Sequence, residues 1–251
     1  MKKIHILFPC FFLMLGLFSS YAQTNQNESI DTRIDNMRYW VKSAEKGIIP
    51  FNPEIPFKPA EFTGSEIEAE SVRNQNSPDV PVTSLNNVTQ SENSVFVDPG
   101  DNNYVLNSNN STSWSGGSVG SLYGANYFQS ADGGLTWGGS QQGAGGSNSG
   151  DPTTAINHSG RQFVGYIHDN YGQGVSYSDN GVNWTPVLVA NAPGGWGSLL
   201  DKNHLWIDNS PTSFYQGNLY NAWTPFGGTN DTEIEIARSS DDGVSWSSVQ
   251  N

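Results

Sequence analysis

The side chains of this chain that could do chemistry are polar residues at the starts of strand-like segments. Asp151 and Asp201 each open such a segment. Carboxyl groups donate and accept protons in enzyme sites, so these two aspartates are the candidate catalytic residues. Lys202 and His204 follow Asp201, and Arg161 lies downstream of Asp151. These three side chains offer hydrogen-bond donors and are the candidate substrate-binding residues.

Each of these five residues also has a structural interpretation, which is the more frequent role for its type. Asp151 and Asp201 can cap a turn or the start of a strand. Lys202 and Arg161 can be solvated surface residues. His204 can pack against its apolar neighbours in the sequence. Both interpretations stay open at this level.

Other signals of chemistry are absent from the sequence. It has no His/Cys spacing typical of zinc, no phosphate-binding loop and no Gly-x-Ser-x-Gly elbow. We therefore expect no metal ion and no cofactor. The formal net charge of -13 argues against nucleic acid or an anionic membrane surface as a partner.

A short phrase that occurs three times indicates how the candidate residues are positioned. Its core is Asp-x-Gly-x-x-Trp, and each copy follows a strand-like run. The glycine allows the positive φ of a tight turn, the aspartate can accept turn N–H groups, and the tryptophan can bury its ring under the turn. Each copy therefore predicts a hairpin. The residues are Asp132, Gly134 and Trp137, then Asp179, Gly181 and Trp184, then Asp241, Gly243 and Trp246.

The spacing of the three copies predicts the fold class. It fits one four-stranded propeller blade for each copy. The chain has 28 glycines and only 14% charged residues, a composition typical of an all-β protein with many turns. We therefore predict an all-β fold.

The phrase resembles the Asp-box, or BNR, repeat of the sialidase superfamily, whose pattern is Ser-x-Asp-x-Gly-x-x-Trp. The first and third copies match it fully, and the second has Tyr177 in place of the serine. The resemblance implies a β-propeller with the Asp boxes on outer hairpins, away from any active site. It implies a structural role for the nine Asp-box residues. Because first strands of blades line the central channel, it also favours Asp151, Asp201, Lys202 and His204 as site residues.

The chain divides into three parts. Residues 1–22 resemble a signal peptide, with a lysine pair, an apolar run and a Ser-Tyr-Ala end. The apolar run is too short for the alternative, a membrane anchor. Residues 23–89 form an N-terminal segment with a short helix and a Pro-rich linker. Residues 90–251 contain three repeating units, the expected blades.

The N-terminal segment carries one helical pattern. The apolar stripe predicts a helix that ends at Gly47 and covers either the flank of the propeller or a missing domain. The polar, acidic stretch 65–81 reads as a linker. The stripe consists of Ile30, Ile34, Met37, Trp40, Val41 and Ala44.

Three blades are fewer than the four to eight of a typical closed propeller. The third copy of the phrase ends within the expected fourth strand of its blade. We therefore expect a partial, sialidase-like propeller, a fragment or an open arc. Either one needs missing C-terminal blades or a partner to close it.

The resemblance implies a secreted protein directed at a glycan or glycoprotein. In that superfamily three arginines bind the substrate carboxylate, a Tyr/Glu pair is the nucleophile and an aspartate is the acid/base. The Phe/Tyr-Arg-Ile-Pro motif is absent, and only Arg161 and Arg238 follow Arg73. Exo-α-sialidase activity would thus depend on missing blades. The alternatives are a non-catalytic propeller for adhesion or protein binding, and an accessory domain of a larger secreted hydrolase.

The signal peptide gives a first testable prediction. The mature secreted protein should begin near Gln23, because small residues before it suit signal peptidase. The mass of the N-terminal peptide of the secreted protein measures this directly. A secreted form that retains the lysine pair at residues 2 and 3 would contradict it.

Overall fold

The fold is seen in a computed structural model that describes most of the chain. The predicted signal peptide, Ile30, most of the Pro-rich run and Arg73 lie outside the described residues. The described residues are 31, 33–34, 36–49, 66–68, 76–78, 80–115, 118–195 and 197–251.

The described residues form one helix, α1, and fourteen strands, so the prediction of an all-β fold is confirmed. The helix spans Met37–Glu45. The strands are β1 (Glu66–Glu68), β2 (Asn76–Pro78), β3 (Val88–Val97), β4 (Val105–Ser115), β5 (Ser118–Ala125), β6 (Tyr127–Ser130), β7 (Gly138–Ser140), β8 (Thr153–Ile156), β9 (Gln162–Ile167), β10 (Gln173–Ser178), β11 (Thr185–Ala190), β12 (Leu199–Ile207), β13 (Leu219–Phe226) and β14 (Glu235–Ser239).

Three antiparallel sheets follow one another along the chain and are called here the first, second and third blade. The first has the order β3-β4-β6-β7, with β5 also paired to β4. The second has the order β8-β9-β10-β11, and the third β12-β13-β14. The leading strands β3, β8 and β12 lie side by side. This is how the inner strands of neighbouring propeller blades are placed.

The second blade is buried on both faces because it lies between the other two. All six residues of β9 are buried. One apolar cluster joins it to the first blade through Leu106 and Val164, and another joins it to the third through Phe163 and Leu205. In contrast, β3 alternates in burial, and Val95 is 62% exposed. A strand covered on both faces needs a continuous apolar run, which β9 has.

Helix α1 packs onto the blades, one of the two surfaces expected for it. Asn36 caps its start by accepting from the backbone N–H of Tyr39, and Gly47 follows its end with φ +72°. Tyr39 lies in an apolar cluster with Ile167 of the second blade and Leu199 of the third. The helix therefore spans the junction of two blades.

The buried side of α1 differs from the predicted apolar stripe. Within the helix Tyr39 and Ser43 are buried, whereas Met37, a stripe residue, is 45% exposed. Trp40 is only half-buried, and its indole N–H donates to the carbonyl of Ile34 at 2.8 Å. The stripe prediction is confirmed at Ile34, which is buried in the same cluster as Tyr39, and is wrong at Met37, because Tyr39 instead fills the gap between the blades.

The stretch predicted as a linker contains regular structure. Strands β1 and β2 pair with each other as an antiparallel ribbon, with Ile67 opposite Ser77. The alternation of polar and apolar residues that is typical of strands is weak here. The composition therefore predicted a linker, although β1 and β2 pair.

The first and third copies of the repeated phrase form the same turn. Asp132 accepts from the backbone N–H of Thr136 at 2.8 Å and from its hydroxyl at 2.6 Å. Asp241 accepts from the backbone N–H of Ser245 at 2.9 Å. Hydrogen bonds from Thr136, the largest cause, and from Ser130 lower the pKa of Asp132 to about 2. The carboxylate thus takes the place of a backbone acceptor inside the turn.

The second copy forms its turn one residue later than the pattern indicates. Asn180, not Asp179, accepts from the backbone N–H groups of Val182 and Asn183, at 2.9 and 2.8 Å. The carboxylate of Asp179 instead pairs with the guanidinium of Arg161 at 2.6 Å. The structural role predicted for Asp179 within the turn is therefore wrong, because a neutral amide one position later supplies the acceptor.

This shift predicts unequal effects from two neighbouring substitutions. Asn180→Ala should remove two hydrogen bonds, worth about 1 kcal/mol net, and lower the melting temperature by about 2–4 °C. Asp179→Ala should lower it less, because an exposed ion pair contributes little. Thermal unfolding followed by circular dichroism measures both. A larger loss for Asp179→Ala would show that the pattern, not the hydrogen bonding, locates the turn.

Candidate functional site

Four charged residues meet along the neighbouring inner strands. Glu92 lies midway along β3, Asp151 just before β8, and Asp201 and Lys202 near the start of β12. These three strands lie side by side, so the four residues can come together. With Asn110 of β4, which contacts two of them, they form what we call the carboxylate cluster.

Local irregularities in the strands direct these side chains. The β3–β4 register shifts between Ser91 and Ser94, and the β12–β13 register shifts between Asp201 and His204. Such bulges re-aim a side chain and are frequent next to active sites.

Backbone strain is concentrated at the same place. Seven non-glycine residues in the described part of the chain have positive φ, and three belong to the cluster: Glu92, Asp151 and Lys202. Each costs on the order of 1–2 kcal/mol, and such strain persists where the surroundings enforce it, as in functional sites.

Asn110 and Lys202 hold the cluster together. The ammonium of Lys202 lies 2.8 Å from Glu92 Oε2. Asn110 Nδ2 donates to Glu92 Oε2 at 3.1 Å and to Asp151 Oδ1 at 3.3 Å. Asn110 Oδ1 accepts from the backbone N–H of Asp151 at 2.7 Å. A Cβ on Gly150 would lie 2.3 Å from that oxygen, so this approach requires glycine.

Asp151 and Asp201 form a buried carboxyl pair. Burial, then the nearby charges of Glu92 and Asp201, raises the pKa of Asp151 well above its usual value. Burial also raises the pKa of Asp201. Among the described residues, no donor reaches Asp151 Oδ2 or Asp201 Oδ1, which are both buried. A proton shared between the two carboxyl groups would supply the missing donor and relieve their repulsion.

A cavity of about 410 Å³ adjoins the cluster. Its size is in the range of small-molecule sites. Glu92 and Asn110 line it, together with two tryptophans, Trp40 of α1 and Trp114 of β4. Asp151 and Asp201 are buried and do not line it. The cavity therefore combines aromatic surface with a carboxylate and an amide.

Arg38 of α1 also lines this cavity, but most of its guanidinium is engaged. Its Nη2 donates to the carbonyls of Asn148 at 2.8 Å and Leu122 at 3.3 Å. Its Nη1 lies 3.7 Å from Asp169. The two Nη groups, one of the pairs that arginine uses to bind a carboxylate, are thus engaged within the protein, whereas Nε is buried without a partner among the described residues.

The structure brings together three of the five residues predicted for the site and separates two. Asp151, Asp201 and Lys202 lie in the cluster. His204 is exposed on β12, so it does not pack in the core. Arg161 lies in the turn between β8 and β9, at the opposite end of β8 from Asp151, and binds Asp179. The substrate-binding role predicted for Arg161 is not supported, because its guanidinium is committed to that pair.

Two residues of the site, Glu92 and Asn110, were missed. The signal that could have found them is the run of polar residues at 90–94 and 107–113, inside strands that are otherwise expected to be apolar. Buried polar side chains in a strand need partners, so such a run marks a polar network.

The residues that the structure describes contain no group of three or more His, Cys, Asp or Glu side chains arranged to hold a metal ion. They also contain no helix that is long and apolar enough to cross a membrane.

Comparison with known proteins gives structural neighbours only. No family model and no curated protein matches the sequence. A protein of unknown function from Dyadobacter fermentans has a TM-score of 0.48, 16% identity and coverage of 70% of this chain and 54% of that chain. An α-L-arabinofuranosidase from Clostridium thermocellum has a TM-score of 0.41, 17% identity and coverage of 64% and 55%. The intramolecular trans-sialidase of Ruminococcus gnavus has a TM-score of 0.34, 18% identity and coverage of 64% and 38%.

In these three comparisons the chain spans between 38% and 55% of the neighbour's length. Sequence identities of 16–18% indicate a likeness in fold alone. Function has to be argued from the site itself.

The raised pKa of Asp151 predicts a pH-dependent effect of Asp151→Asn. Above the unfolded pKa of 3.8 the unfolded state is ionised while the folded state keeps its proton, so the unsubstituted protein loses stability as pH rises. Asparagine carries no such charge and can still donate to Asp201. The variant should therefore gain melting temperature relative to the parent between about pH 4 and about pH 7.

Thermal unfolding at the two pH values measures this gain. A third measurement at about pH 2, well below the unfolded pKa of 3.8, is the internal control, because Asp151 is protonated there in both states. A difference between the two proteins that stays constant or shrinks as pH rises would contradict a shared proton.

Proposed function

We propose that this protein is a secreted, glycan-directed propeller whose carboxylate cluster hydrolyses glycosidic bonds of neutral sugars. The observation that carries the proposal is the buried Asp151–Asp201 pair, whose carboxyl pKa values are raised by burial, beside Glu92, which is ion-paired and lines a cavity. Glycosidases use one protonated and one ionised carboxyl group at the scissile bond. The expected signal peptide supports secretion.

The two roles follow from the surroundings of each group. Asp151 is the proton donor to the leaving oxygen, because burial keeps it protonated at a pH where free carboxyl groups are ionised. Glu92 is the carboxylate that acts on the sugar carbon or on a water, with Lys202 and Asn110 fixing its position. Asp201 holds the proton on Asp151 and is a positioning residue.

Electrostatics favour neutral over acidic sugars. A sialic acid needs arginine side chains free to bind its carboxylate. Arg38 already donates to two carbonyls, Arg33 pairs with Asp31 and Asp231, and Arg161 pairs with Asp179. The carboxylates of the cluster would also repel an anion. Arg238 is exposed on β14 and does not line the cavity, so the exo-α-sialidase hypothesis has no support from the described arginines.

A non-catalytic binding propeller is the second candidate. Asp151 is only 4% exposed, and structural ion-pair networks also shift pKa values. The cluster would then rigidify the channel beside a sugar-binding cavity. In both cases we propose that further blades or a partner cover the open faces, where Val95 and Trp206 are 62% and 59% exposed.

Hydrolysis assays on the full chain test the catalytic proposal. Xylotriose, arabinobiose and lactose represent neutral sugars, and 3′-sialyllactose an acidic one, with products separated by chromatography. At least one neutral sugar should be cleaved, and Asp151→Asn and Glu92→Gln should each lower the rate by about 10²–10⁴-fold. Asp179→Asn, at the other end of the second blade, should leave it unchanged.

Asp201→Asn gives a sharper readout. The charge of Asp201 raises the pKa of Asp151, so its removal should move the basic limb of the pH–rate profile to lower pH. Cleavage of 3′-sialyllactose alone would contradict the choice of neutral sugars. Binding without cleavage of any of these sugars would favour the second candidate.

A further inference from the structure

Two tryptophans from distant parts of the chain line the same cavity. Trp40 belongs to α1 and Trp114 to β4 of the first blade. The indole N–H of Trp40 donates to Ile34 and that of Trp114 to Thr89 Oγ1 at 2.7 Å. Since both N–H groups are used within the protein, the rings offer a ligand mainly apolar aromatic surface.

The helix that carries Trp40 is fixed by buried polar contacts. Asn36 Nδ2 donates to the carbonyl of Ser149 at 2.8 Å, and Asn36 is only 3% exposed. Arg38 donates to the carbonyls of Asn148 and Leu122. Ser149 and Asn148 lie in the loop that leads to Asp151. Helix and carboxylate cluster are therefore attached to the same loop, and the position of one constrains the other.

The cavity also has a polar side, formed by residues other than the two tryptophans. Glu92 presents a carboxylate and Asn110 an amide oxygen, since Asn110 Nδ2 already donates to Glu92 and Asp151. A sugar ring has hydroxyl groups around its edge and C–H groups on its faces. Aromatic side chains suit those faces, and carboxylate and amide groups suit the hydroxyls.

We propose that Trp40 and Trp114 form a subsite for the ring of a neutral sugar, and that α1 determines its specificity. This inference rests on the proposed function, because the subsite adjoins the carboxylate cluster. It assigns to the N-terminal segment a role in ligand recognition that the blades alone do not supply. Arg38 completes the wall, and its engaged guanidinium disfavours a ring that carries a carboxylate.

The test is a titration of the full chain with ¹⁵N-labelled tryptophans. The chain has eight tryptophans, whose indole N–H signals are assigned by single Trp→Phe substitutions. Asp151→Asn serves as background so that the sugar is not consumed. Xylotriose and lactose should shift the signals of Trp40 and Trp114, whereas that of Trp206, exposed on the third blade, should not move.

Affinities from the same titration separate a recognition role from a structural one. Trp114→Ala and Trp40→Ala should each weaken binding by about tenfold or more. Trp40→Phe should retain most of the affinity because a ring remains. Trp206→Ala is the matched control and should bind as the parent does. If Trp40→Ala detaches α1 from the blades, the proposal is still decided by the indole N–H signal shifts in the parent and by the affinity of the Trp114→Ala variant.

The outcomes distinguish this subsite from the proposed function. Cleavage or binding of a neutral sugar with no shift at Trp40 and Trp114 would overturn the subsite and leave the proposed function standing. Tighter binding of 3′-sialyllactose than of lactose would overturn the choice of a neutral ring. Neither cleavage nor binding of any of these sugars would overturn both.

Discussion

Burial of the second blade between the other two is the constraint on which the rest of the structure depends. Its strand β9 is buried throughout, and its apolar side chains join the clusters on both sides. Apolar burial is the main favourable contribution to folding, and it fixes how the blades stack. Because the stacked inner strands run in the same direction, their starting ends meet. Residues that are far apart in the chain become neighbours there.

The carboxylate cluster lies where these strands meet, and it lowers the free energy of unfolding. It holds three acidic side chains together, with one lysine and one asparagine to compensate, and it contains backbone positions with positive φ. Repulsion and strain of this kind are destabilising, and the packed blades supply the stability that offsets them. Burial, together with the charges of Glu92 and Asp201, raises the pKa of Asp151. The feature that weakens the fold is therefore the one on which the proposed acid catalysis depends.

The N-terminal helix extends the site beyond the blades. Tyr39 anchors it at the junction of the second and third blades, while Arg38 and Asn36 bind the loop before Asp151. This arrangement leaves Trp40 at the cavity and Met37 exposed. An amphipathic helix normally buries its most apolar side. Here a tyrosine that fits between two blades decides the orientation instead.

The sequence by itself determined the all-β class, the propeller-like order of the strands and the positions of the turns. These features depend on interactions within a few residues, as in Asp132 with Thr136, so a local pattern carries them. Even so, the pattern assigned the acceptor of the second turn to Asp179 instead of Asn180, because either side chain can accept a hydrogen bond from a turn N–H group.

The tertiary structure alone decided which polar residues meet. Polar starts of inner strands pointed to Asp151, Asp201 and Lys202, yet neither Glu92 nor Asn110 was identified, and Arg161 was assigned to the wrong place. The bulges that aim Glu92 and Lys202 at each other have no local sequence signature. The side of α1 that is buried depends on the shape of the gap between blades. Both depend on contacts between segments distant in the chain, which exist only once the blades have packed.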